Sequence, residues 1–173
     1  MKKKYKFTGK SIQHEGITLH QIQAIRSFGN VKEGDIGGWI EKEENLSHEG
    51  KCWVYENARV FENAQVCGDA QVYGDAEVSG NALVYGNARV FENAQVCGDA
   101  QVCGNAQVFG DAKVYGDAWV YGNAQVCGNA RVFENAQVCG DALVYGNARV
   151  FENAQVFENA QVCGDALVFG NAL

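Results

Sequence analysis

From Val54 to Val168 a valine stands at every sixth position without a gap, and an alanine follows four residues after each one. The unit reads V-[YFC]-[GE]-[ND]-A-x and is written twenty times. Within it, A-x-V-x alternates apolar and polar, which predicts a short strand with alanine and valine inward and valine's two neighbours facing water. The intervening Gly-Asp and Gly-Asn pairs predict a bend, since glycine accepts positive φ and Asn or Asp tolerate the left-handed region. Such fixed-period self-similarity predicts a solenoid. A strand this short cannot stand alone. Burying one valine contributes about 1.5–2 kcal/mol, barely enough to offset ordering one or two residues, so stability has to be cooperative along a stack of coils.

The longest copies sharpen this picture. "NARVFENAQVCGDAQV" begins at Asn57 and again at Asn87, and most of it returns at Asn129 and Asn147. The shifts are 30, 42 and 18 residues, all multiples of six.

The pattern is similar to the bacterial transferase hexapeptide repeat, an aliphatic residue followed four positions later by a small one. That resemblance spans residues 54–173. It implies an all-β, left-handed triangular parallel β-helix with three hexads per coil. One departure is that glycine comes one position later than is common in the family, behind Tyr, Phe or Cys. The head "GDIGGWIEKEENLSHEGKCWVYENA", Gly34 to Ala58, resembles hexapeptide-repeat proteins of bacterial genomes, phages and prophages, often labelled polymer-forming. Ile40 and Leu46 read as core positions of a degenerate first coil, with "SHEGKCW" bulging before Val54. Upstream, "KYKFT" and "ITLHQIQAIR" alternate as two strands of a hairpin-like cap, expected because the end of a stack is an adhesive edge. The predicted organisation is a cap and first coil over 1–50 and a repeat solenoid over 51–173.

Charge divides unevenly. Residues 1–53 hold nine Lys or Arg against seven acids, and the repeats hold five against fourteen. An acidic rod disfavours nonspecific nucleic-acid binding, which depends on neutralising phosphates. The lysines of "MKKKYKFTGK" read as solvated chain. No apolar run reaches the length of a membrane span, and no secretory leader is visible. With 18 residues per coil, none of the repeat cysteines stacks on another, and unpaired thiols fit a reducing cytoplasm.

Enzymes of the resembled family use a histidine base and a loop that interrupts the repeats. Here His14, His20 and His48 all lie outside the repeats, and no loop interrupts them. Cys67, Cys97, Cys103, Cys127, Cys139 and Cys163 occupy a position that exchanges freely with Tyr and Phe, and they lack a neighbouring base. His48 reads as polar surface. Copying in steps of 30 and 42 would also move a built site to another side of the triangle. No catalytic, cofactor-binding or metal-binding residue is therefore expected, although Asp99 and Asp117 would stack as an acidic pair.

Residues one coil apart should form columns. One face would carry Lys113, Arg131, Arg149 and Leu167 beside Tyr115, Phe133, Phe151 and Phe169. Three readings stay open: cross-strand stacking with Arg over Phe and Glu134 or Glu152 balancing charge, a protein docking surface, or an anion site. At the C-terminal coil, Leu167, Phe169 and Leu173 would form an apolar, unpaired edge suited to a homodimer. The expected function is a non-catalytic, self-associating scaffold or interaction module, cytoplasmic and phage-borne, with an unknown protein partner and no membrane. Acyl transfer and inhibition of a host nucleic-acid-binding or defence protein are the alternatives.

Overall fold

The computed structural model describes residues 2–173. It is an all-β parallel solenoid of about seven turns with the form of a left-handed β-helix. Strands β1 (Tyr5–His14) and β2 (Ile17–Ala24) pair antiparallel, and β2 pairs with β3 (Ile36–Ile40). A single 3₁₀ turn, Glu43–Asn45, follows. Twenty two-residue strands then run from β4 (Trp53–Val54) to β23 (Leu167–Val168), one every six residues and each ending on a repeat valine, so that β5 is Arg59–Val60, β8 Glu77–Val78, β11 Gln95–Val96, β14 Lys113–Val114, β17 Arg131–Val132 and β20 Arg149–Val150.

These strands make three flat faces. The hairpin face has ten strands, ordered β1-β2-β3-β5-β8-β11-β14-β17-β20-β23. A second face of seven strands begins at β4, and a third of six begins at β6 (Gln65–Val66). Along each face every strand pairs in parallel with the strand three units on, so Val96 lies on Val114, Val114 on Val132 and Val132 on Val150. Valines 54 to 150 and the alanines between them are fully buried, while Tyr115 and Phe133 are half-buried on the outside. The coil is eighteen residues. In the first coil Ile40 pairs with Val60 and Leu46 bridges Val66, both spacings lengthened by the bulge before Val54.

The bends work differently from the sequence expectation. Among the described residues, no Asn or Asp has positive φ; the left-handed position is always Gly or Glu. In the repeats the glycines sit at φ 64–73° and the glutamates at 53–60°. A side chain there is strained, but those of Glu56, Glu62 and Glu134 reach the following coil. Glu56 Oε2 accepts from the Gly74 N–H at 2.8 Å, and Glu134 Oε2 from the Glu152 N–H at 2.8 Å. The carboxylate satisfies a turn donor that the ladder leaves free. The adjacent Asn and Asp form a ladder with a direction: an Asn Nδ2 donates to the Oδ1 one coil later, as from Asn105 to Asn123 and Asn123 to Asp141. Aspartate has no donor to pass on, so a run that reaches one ends there.

The cap buries what the repeats cannot supply. Trp53 packs edge-on against Phe28 and Tyr5, with ring centroids 5.4 and 6.1 Å apart. Lys4, expected in solvent, is fully buried: its Nζ donates to Cys52 O at 2.8 Å, Glu49 O at 3.4 Å and Cys52 Sγ at 3.1 Å. Three acceptors match an ammonium's three donors. Burial still pulls the Lys4 pKa below its ordinary value, and it raises that of the Cys52 thiol. His48 is likewise not free surface: it lies 4.4 Å from the Tyr5 ring, and its Nδ1 accepts from the Lys4 N–H at 3.3 Å.

Candidate interaction surfaces

Outward positions of the hairpin face form a continuous column: Arg59, Glu77, Gln95, Lys113, Arg131, Arg149 and Leu167. Its first coils are covered and neutralised. Arg59 Nη1 meets Glu77 Oε1 at 2.6 Å, and Gln95 Nε2 donates to Glu77 Oε2 at 3.3 Å. The hairpin tip lays His14 edge-on over Phe61 at 5.3 Å, with its Nε2 3.1 Å from Glu77 Oε1. Sequence reasoning missed this cluster, because nothing in the spacing of His14 and Glu77 announces that the hairpin bends back onto the repeats.

The later coils are bare. Lys113 is half-buried, and Arg131 and Arg149 are exposed. Among the described residues none of the three has a carboxylate within ion-pair distance. Beside them Tyr115, Phe133, Phe151 and Phe169 stack face to face at 4.9, 5.0 and 5.2 Å. The expected Arg-over-Phe contact does not form, since each ring is occupied by the ring of the next coil. Nor does Glu134 balance the arginines, its carboxylate being turned to the Glu152 backbone.

Ring stacking alone does not distinguish this face. On the second face Tyr73, Phe91 and Phe109 stack at 4.8 Å per step, beside Gln71, Arg89 and Gln107. The same one-coil spacing would have revealed that ladder from the sequence. The row of three cations is what sets the hairpin face apart.

The third face alternates Cys67, Tyr85, Cys103, Tyr121 and Cys139 outside its valines. All seven cysteines are free. Burial raises the pKa of the Cys67, Cys97 and Cys127 thiols, which leaves them poor nucleophiles at neutral pH. Among the described residues no three His, Cys, Asp or Glu side chains are grouped to hold a metal, and no helix is long and apolar enough to cross a membrane.

At the C-terminal coil the stack opens. The Gln155 N–H is the last to reach a following coil, at Ala172 O 2.9 Å away. The outward N–H groups of Phe157, Gln161, Cys163, Leu167 and Phe169 have no backbone acceptor among the described residues. Val156, Val162, Val168 and Leu173 line an apolar hollow of about 460 Å³ at the open mouth. The three residues expected to form one edge divide here. Leu173, 85% exposed, sits at the mouth, while Leu167 and Phe169, 55% and 53% exposed, end the two columns of the hairpin face.

The YdcK β-solenoid repeat model matches residues 82–98, 106–122, 124–140, 136–150, 142–158 and 160–173. These matches support a hexapeptide-repeat β-helix family for the repeats. A curated relative, the uncharacterized acetyltransferase YdcK of Escherichia coli (strain K12), is 41% identical over 54 residues. That stretch covers 29% of this chain and 17% of the relative. The repeat matches begin at residue 82, so the head and cap lie outside them.

Proposed function

We propose that this hexapeptide-repeat rod is a non-catalytic interaction scaffold whose copies pair end to end through the C-terminal coil. One observation carries the reading: that coil presents unpaired backbone groups around an apolar mouth, while the cap strands close the other end. An extended residue points its N–H and C=O to the same side, so Gln161 and Leu167 each offer both groups outward. Antiparallel pairing exchanges both groups between facing residues, which is the arrangement a twofold axis produces. Head-to-tail growth would have to displace the cap, so a closed dimer is favoured over a filament.

Sedimentation of the whole chain tests this. The wild type should sediment as a dimer and Gln161→Pro as a monomer, because proline removes an edge donor that no bond within the chain uses. A wild type that stays monomeric at high concentration, or a proline variant that pairs as well as the wild type, refutes the end-to-end joint. The acyl-transfer alternative draws on the name of the YdcK relative, and calorimetry with acetyl-CoA addresses it: saturable binding would replace the non-catalytic reading.

A further inference from the structure

The hairpin face changes character halfway along the rod, and the change points to what covers its bare half. In the first coils a cation and a ring, Arg59 and Phe61, are met by a carboxylate and by the hairpin tip. After two coils that carry Glu77 with Ser79 and Gln95 with Cys97, the same two columns hold Lys113, Arg131 and Arg149 beside Tyr115, Phe133 and Phe151. There the rings are stacked on one another, without a hairpin tip over them, and among the described residues no carboxylate lies within ion-pair distance of the cations. Like charges directly opposite one another on adjacent strands are destabilising. In a chain of net charge −7, a row of three unneutralised cations is a local cost that an anionic partner relieves.

Spacing narrows the shape of that partner. The columns run along the rod axis, across the strands, with rings 4.9–5.2 Å apart. An extended peptide lying along the axis presents side chains on one side about every 6.7 Å, out of step with the coils. An α-helix advances about 5.4 Å per turn, which keeps pace with one coil per turn over three coils. We infer that Lys113, Arg131 and Arg149, with the ring ladder beside them, form a docking strip for an acidic amphipathic helix of another protein. Its carboxylates, one per turn, meet the cations, and its adjoining apolar stripe lies on Tyr115, Phe133 and Phe151. This contact is separate from the end-to-end joint and leaves it free.

The test uses the full chain and a fluorescein-labelled alanine-based helical peptide. The peptide carries glutamates at i, i+4 and i+7 beside leucines at i+3, i+6 and i+10. Fluorescence anisotropy should report binding that weakens as salt rises. The variant Arg131→Glu/Arg149→Glu should bind at least about tenfold more weakly, since like charges across a contact repel. Both arginines are exposed, and an unchanged circular dichroism melt shows that the fold survives. Arg89→Glu, beside the ring ladder of the second face, should bind as the wild type does. Equal binding of a composition-matched scrambled peptide, or no loss in the double variant, overturns the proposal. So does tighter binding of single-stranded or duplex DNA that the double variant abolishes, which would assign the strip to nucleic acid. Loss of self-association by the double variant with no change in peptide binding would assign it to a second copy.

Discussion

The two ends of the rod are built from the same backbone pairing and treat it in opposite ways. At the N-terminal end the repeat is abandoned: Trp53, Tyr5, Leu19, Ile22 and Lys4 are buried, and β1, β2 and β3 extend the hairpin face past the first coil. At the C-terminal coil the repeat runs on to residue 173, and Val162 and Val168, whose counterparts elsewhere are fully buried, become half-exposed. Ending a face does not by itself expose a valine, since Val54 and Val156 end theirs and stay buried. Covering the N-terminal end takes residues with no place in the hexad.

Large-to-small substitution should separate the ends most strongly. Trp53→Ala removes the residue that joins Phe28 and Tyr5 to the first coil and is expected to cost about 3–5 kcal/mol in urea unfolding. Phe169→Ala, at the exposed end of its stack, should cost under about 1 kcal/mol by the same measurement. Similar losses at both sites would mean that the cap does not anchor the rod.

A sharper contrast uses one residue type. Glu134 and Glu158 both occupy the left-handed turn position, at φ 58° and 56°. Glu134 has a backbone N–H to accept from, and Glu158 has no following coil. Glu134→Ala keeps the strain and loses the bond, so it should be less stable than Glu134→Gly by about 1 kcal/mol. Glu158→Gly should leave the melting temperature unchanged or raise it. A more stable Glu134→Ala than Glu134→Gly would contradict this account of the turns.

These contrasts also mark what could be read from the chain alone. The solenoid was legible because one rule, valine then alanine four residues on, holds at every coil; Ile40 and Leu46 follow it loosely enough to be recognised. The cation and ring columns of the hairpin face were legible for the same reason. Lys4 with Cys52, and His14 with Glu77, were not. These pairs lie 48 and 63 residues apart in the chain, and no period links them. The glutamates at positive φ were hidden too, because the bonds that hold Glu56, Glu62 and Glu134 there are made one coil away and not by their neighbours in sequence.

The smallest effect expected is one of pH, confined to the capped end. Burial holds the His48 pKa below its ordinary value, and Nδ1 must stay unprotonated to accept from the Lys4 N–H. The unfolded chain then binds more protons between the lowered folded value and about 6.5. Stability from this group is therefore present above that window and is lost as pH falls through it. Relative to their intrinsic rates, amides of β1 near Lys4 should exchange faster below about pH 6.5, His48→Gln should remove that dependence, and the C-terminal coil should not respond. Equal acceleration at both ends would mean that His48 is not the cause.

Amide hydrogen exchange at two protein concentrations tests the contrast between closed and adhesive ends most directly. The amides of Gln95, Lys113 and Arg131, bonded to the following coil, should be protected at both concentrations. Those of Phe157, Gln161, Cys163, Leu167 and Phe169 should exchange freely in dilute protein and become protected as concentration rises. If those five amides exchange alike at both concentrations, the open coil is not where copies of this chain meet.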